Sequence, residues 1–232
     1  DPLGAKLAGP GIRAWNFAES LADDHEVRLV SLGKADAMSP RFDVFAVAVG
    51  DQTSMRRHVD WCDVVVFQGL AMALFSAIET TDKIIVADVY DPMHLEQLEQ
   101  ARSYDLAEWE RNVSSATEVM NQQLSRADFL LCASERQRHL YLGQLAALGR
   151  INTANYGSDP DFSNLVGIVP FGLSEEAPKQ TRHALRDAVP GISRDDKILL
   201  WSGGLYDWFD PHTLIEAVAI LSQRREGVRL FF

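Results

Sequence analysis

Cysteine is scarce: Cys62 and Cys132 are the only two in 232 residues. So small a set excludes a scaffold held together by disulfides. Both flank apolar runs, where a buried, reduced thiol is the expected state. Long hydrophobic runs are missing. No stretch approaches the roughly 20 apolar residues that cross a bilayer, and the N-terminus lacks a signal-peptide pattern. Positive charge is short as well, with 22 Lys and Arg against 33 Asp and Glu and a net charge of −11. No basic run relieves that balance, so nucleic acid is excluded as an expected partner: its phosphate backbone would be repelled. Internal repeats and low-complexity segments are absent. The opening Asp1-Pro2-Leu3-Gly4 has no Met and no strand before it, and reads as the inside of a longer chain.

What is present is a hydrophobic content of 47%, enough for one large core or two smaller ones. Short apolar runs recur at 26–32, 42–49, 63–69, 83–90, 127–134, 165–172, 197–204 and 228–232. Near-continuous Val, Ile, Leu and Phe with polar or glycine ends signal parallel strands buried on both faces. Amphipathic segments lie between them. Ile12, Trp15, Phe17, Ala18 and Leu21 fall on roughly one helical face. Ser134 reads as an N-cap for a helix closed by Gly149, and Asp210-Pro211 opens another that Gly227 stops. The region 92–126 is the longest helical stretch, with a break expected near Ser103–Tyr104. Strand and helix alternate, so the class is α/β with right-handed crossovers. Residues 173–194 are charged and strand-poor, and read as a linker with a short helix near Ala184–Val189. Two doubly wound, Rossmann-like parallel-sheet domains are therefore expected, at 1–172 and 195–232. The second is too short to cover both faces of a sheet and is expected to be incomplete.

Gly9, Gly11 and Ala14 match the spacing of a dinucleotide-binding turn. Such a turn needs a strand just before the first Gly and an acid at the end of the second strand. Here at least eight loop residues precede Gly9, and the second strand ends in Ser31, Leu32 and Gly33. Two readings stay open. One is a connecting loop whose glycines only turn the chain. The other is a flap whose backbone approaches an anion at the start of a helix, with Arg13 adding charge.

A second glycine loop, Ser202-Gly203-Gly204, follows the strand at 197–200. Two such units, joined after "VPFGL" at 169–173, resemble the GT-B fold of nucleotide-sugar-dependent glycosyltransferases, closest to the group 1, or family 4, type. "AGPGIRAWNFAESLA", "ADFLLCASERQRHLYL" and "GGLYDWFDPHTLIEAVAIL" are similar to that family's "gG...r...laraLa", "aD.vi..Se..r..l" and "Grl...Kg...li.Ala.L". The likeness spans nearly the whole chain. It implies transfer of a sugar from a nucleotide-diphosphate sugar to a glycan, lipid-linked or small-molecule acceptor. It also implies no metal and no cofactor, a cytoplasmic setting at or near the inner membrane face with peripheral membrane contact, and no activity for this part alone. The family's donor loop commonly carries an Arg and a Lys; Gly204, Asp207 and Trp208 stand near those positions here. Phosphate holding would fall to the backbone of Ser202–Leu205.

The same resemblance directs attention to loops after strands. Asp88 ends one strand, and Asp91 and His94 follow it; they are the candidates for catalysis. Asp91-Pro92 is equally a helix-capping pair. Gln68 ends another strand and could bond an acceptor hydroxyl or simply close a turn. Ser134 serves the acceptor or only caps its helix. Cys132 reads as core, and Ser134 lacks the G-x-S-x-G setting of a hydrolase. Trp201 reads as core, while Trp208, in a polar loop, could stack on a sugar or base. Three rival functions remain: a GT-B-like nucleotide-sugar epimerase, a dinucleotide-dependent oxidoreductase, and a non-catalytic sugar-binding module.

Overall fold

The structure is a computed structural model that describes residues 3–4, 7–173 and 177–232, with Asp207 described through its backbone only. The chain divides into two compact units, Asp1–Gly172 and Leu173–Phe232.

All eight apolar runs become strands. In the first unit these are β1 (Arg28–Ser31), β2 (Asp43–Ala46), β3 (Val64–Gln68), β4 (Ile84–Asp88), β5 (Phe129–Cys132) and β6 (Val166–Ile168). β1 and β2 pair in parallel, and β3-β4-β5-β6 form a four-stranded parallel sheet in that order. Helices flank it, giving a Rossmann-like α/β arrangement. They are α1 (Gly9–Leu21), α2 (Gln52–Trp61), α3 (Ala71–Leu74), α4 (Ser76–Glu79), α5 (Met93–Gln100), α6 (Leu106–Arg126), α7 (Glu135–Ala147) and α8 (Thr153–Ser158). The helical region breaks at residues 101–105, near the expected Ser103–Tyr104. β4 and β5 supply the centre of the core: Ile85, Ala87, Leu130 and Cys132 are fully buried, with Phe75, Met120, Tyr141 and Leu145 packed in the same cluster. β3 departs from burial on both faces. Val64 and Val66 are exposed on alternate positions, as is Ile84, the partner of Val64 on the interior strand β4, so this end of one sheet face is left open.

The second unit holds β7 (Lys197–Leu200), a 3-10 turn (Asp207–Phe209), α9 (Pro211–Ser222) and β8 (Val228–Phe231), with β7 and β8 parallel. The short helix expected near Ala184–Val189 is replaced by hydrogen-bonded turns, including Asp187 N–H to His183 carbonyl at 3.0 Å. That stretch has too few apolar residues for packing to offset the cost of helix nucleation.

Helix starts separate into two kinds. Side chains cap α2 (Asp51), α6 (Asp105), α7 (Ser134), α8 (Asn152, in a capping box) and α9 (Asp210). Among the helices of eight or more residues, α1 and α5 alone have no side-chain cap, their N-cap positions being Ala8 and Pro92. At α5 the backbone itself pairs the first amides, Met93 N–H to the Asp91 carbonyl at 2.9 Å and Leu95 N–H to the Pro92 carbonyl at 2.8 Å; an amide left unpaired at a helix start calls for water or a ligand. Among the described residues no helix is long and apolar enough to cross a membrane.

Candidate functional site

The carboxyl ends of β3 and β4 gather most of the expected residues of the first unit. Gly9 and Gly11 do not form a loop: both lie in the first turn of α1, and neither takes a positive φ. The helix begins at Gly9, with Pro10 in its first turn, where a missing N–H costs nothing. The dinucleotide-turn geometry is therefore not formed.

Arg13, one turn further on, is not offered to solvent. Its Nε donates to Asp88 Oδ2 at 2.7 Å and its Nη2 to Oδ1 at 2.9 Å. The two side chains are 2% and 3% exposed. Three rings surround the guanidinium carbon, with centroids at 4.6 Å (Phe17), 5.0 Å (Tyr90) and 4.9 Å (Phe171). Tyr90 and Phe171 meet edge to face at 5.3 Å. Direct contact of Arg13 with a diphosphate, expected from the sequence, gives way to a structural role. The ion pair ties the start of α1 to the end of β4. Burial pushes the Asp88 carboxyl up, outweighing the hydrogen bond and charge of Arg13.

Gln68, at the end of β3, makes a second tie. Its Nε2 donates to the Pro10 carbonyl at 2.8 Å, while its Oε1 is buried without a partner. The turn after it needs Gly69, at φ +64°. Two glutamines that sequence reasoning missed do similar work. Gln123 donates to the Gly69 carbonyl at 2.6 Å, and Gln137 to the Tyr90 carbonyl at 2.6 Å. For Gln137 a signal existed: it stands three residues after Ser134, the spacing of a capping box.

Asp91 does not cap α5. The helix starts at Met93 after Pro92, and no side chain bonds its first amides. The half-buried Asp91 carboxyl is instead pushed up to about 6, first by burial, then by the charge and hydrogen bond of Glu96. A carboxyl titrating there is suited to proton transfer near neutrality. His94 is buried, at 8% exposure, with Nε2 3.0 Å from Gln144 Nε2 of α7 and Nδ1 unpartnered. Burial lowers its pKa, so the ring is neutral at pH 7. His94 thus joins α5 to α7 and presents little surface to a substrate. Tyr90 is held protonated, its hydroxyl pushed up to about 12 by burial and by Asp91 and Asp88.

Ser134 accepts from the Gln137 amide at 3.3 Å. That capping bond accounts for it, and Ser134→Ala is expected to cost about 1 kcal/mol in a urea melt. Loss of ligand binding at unchanged stability would show a substrate role instead. Cys132 is buried and its thiol is pushed up by burial, as suits a core residue. Among the described residues no three His, Cys, Asp or Glu side chains converge as metal ligands. An open depression of about 380 Å³ around Gly4, Leu7, Trp15 and Met38 contains none of the expected residues.

In the second unit, Ser202, Gly203 and Gly204 follow β7 as expected. Trp201 departs from its core assignment: it is half-buried, and its Nε1 donates to the Gly204 carbonyl at 3.0 Å. Trp208 stacks on Tyr206 at 4.6 Å and 13°. The side chain of Asp207 lies outside the described residues.

No family model matches the chain, and no curated protein registers as a relative.

Proposed function

We propose that the chain is part of a nucleotide-sugar-dependent glycosyltransferase of the GT-B kind, with a second Rossmann-like domain begun by β7, α9 and β8. The observation that carries this reading is the uncapped start of α1 at the carboxyl edge of the sheet. α1 and α5 lack the side-chain caps that the other long helices have. α1 is fastened to the ends of β3 and β4 by Gln68 and Arg13–Asp88, and α5 follows β4 directly. The start of α1, held at the carboxyl edge of a parallel sheet, suits a phosphorylated ligand, since a helix start and its dipole favour an anion; α5 offers less, with Glu96 in its first turn and its Met93 and Leu95 amides on backbone carbonyls. In this reading the amides of Gly9 and Gly11 meet the phosphate, Asp91 accepts the acceptor's proton, and Arg13, Asp88 and Gln68 hold the frame.

Thermal unfolding of the full-length protein with UDP-, GDP- and dTDP-sugars tests it. At a hundredfold excess over Kd, a bound ligand adds about 2.7 kcal/mol, or a rise in Tm of about 5 °C or more. One donor class is expected to give that rise. Tight binding of NAD(H) or NADP(H), or no response to any nucleotide sugar, would sink the reading.

A further inference from the structure

We propose that β1 and β3 flank a slot one strand wide, filled by a parallel strand that leads into Leu3 and joins the two sheets of the first unit into one. Leu3 is 3% exposed and bridges Ala35 in parallel, just past the end of β1. Its amide donates to the Lys34 carbonyl at 2.7 Å, and its carbonyl accepts from the Asp36 and Ala37 amides at 2.7 and 3.0 Å. The chain therefore arrives at Leu3 running beside the continuation of β1 and in the direction of β1. At about 3.3 Å per residue, a strand of roughly seven residues before Leu3 reaches back to Arg28.

β2 takes one edge of β1, through Asp43 N–H to the Val27 carbonyl at 3.2 Å and Val47 N–H to the Ser31 carbonyl at 2.9 Å. Backbone groups of a strand alternate between its two edges, so Arg28 and Val30 turn theirs to the other edge. Lys34 and Asp36, which Leu3 bonds, share that parity. On β3, the Asp63 carbonyl accepts from Ile84 N–H of β4 at 3.3 Å. Val64, Val66 and Gln68 therefore present their backbone groups away from β4. Among the described residues neither of these two edges has a strand partner. The chain itself links them. Leu3 lies on the first, and the Pro10 carbonyl accepts from Gln68 at the end of the second. Bare edges of apolar parallel strands leave donors and acceptors to be satisfied. Direct pairing of β1 with β3 does not account for Leu3, which holds the continuation of the open edge of β1. A strand before Leu3 accounts for it, and makes α1 an ordinary right-handed crossover between neighbouring parallel strands. The strand order then reverses at the slot, below the start of α1, and such a reversal is where doubly wound sheets take their ligands. None of this depends on which ligand binds.

Amide hydrogen exchange on the full-length protein tests the slot. The amides of Arg28, Val30, Val64 and Val66 are expected to exchange as slowly as that of Val86 inside β4, about a hundredfold or more below the rate of an unpaired edge amide. Fast exchange on either strand overturns the proposal. Oxidation of the double variant Val30→Cys with Val66→Cys gives a second measurement. Across a filled slot the two strands stand about 9.6 Å apart, beyond the roughly 7 Å that a disulfide spans. No bond between the two new cysteines is expected by peptide mass mapping, and its formation overturns the slot. Size-exclusion chromatography identifies the source of the strand. Protection that persists in the monomer assigns it to the segment before Leu3. Protection that appears only in a dimer and is lost on dilution gives the slot to a second copy and overturns that assignment.

Discussion

Replacing Asp88 by Ala is expected to cost about 3–5 kcal/mol of stability. The reason is the charge left behind. Arg13 and Asp88 are almost completely buried and bonded twice. Without the carboxylate, the guanidinium keeps its charge among Phe17, Tyr90 and Phe171, whose rings offset only part of the lost solvation. The pair itself is another matter. Burial raises the Asp88 pKa more than Arg13 lowers it, and removing two charges from water costs about as much as their attraction returns when apolar side chains can fill the same space. The double variant Arg13→Met with Asp88→Leu is therefore expected to recover most of the lost stability. Urea unfolding of the two single variants and the double variant gives the comparison. If the double variant is as unstable as Asp88→Ala, the ion pair is net stabilising and the account is wrong. Because α1 would lose its fixed position, ligand affinity is expected to fall in the double variant even where stability returns.

Asp91→Asn is expected to stabilise the protein at pH 7 by about 2 kcal/mol, after solvent screening is allowed for. The folded-state carboxyl titrates at about 6, against a usual value of 3.8. Between those values the folded chain holds a proton that the unfolded chain releases. Stability therefore falls as pH rises through about 4 to 6, and the full penalty is present above pH 6. Asparagine removes the penalty, so the variant and parent should coincide near pH 4 and diverge up to pH 7. Because Glu96 shares the titration, Glu96→Gln should remove part of the slope. Unfolding free energies measured from pH 4 to 7.5 decide this; parallel curves for parent and Asp91→Asn would exclude it. A group that lowers stability at neutral pH and sits between an uncapped helix and the Arg13 cage is what a site maintained for function is expected to contain.

The order of elements was legible along the chain because it depends on neighbours. Each apolar run marks a strand, since period and length are local properties. The Ser134 and Asp210-Pro211 starts, and the break between α5 and α6, follow from single residues acting on their own backbone. The uncapped start of α1 could also be read locally, although the glycine spacing pointed to a loop where Pro10 allows a helix. The candidate site was legible only as a set of names. Asp88, Arg13 and Gln68 were singled out, yet their bonds span 75 and 58 positions.

Which segments become strands and helices, and where most helices begin, follows from local features, because hydrophobic period, capping side chains and proline act over a few residues. That Arg13 serves Asp88, that His94 turns to Gln144 and that Asp91 titrates near neutrality emerges from the packed fold. Those outcomes depend on which distant groups share a water-poor space, and burial of that kind leaves no trace in the order of residues.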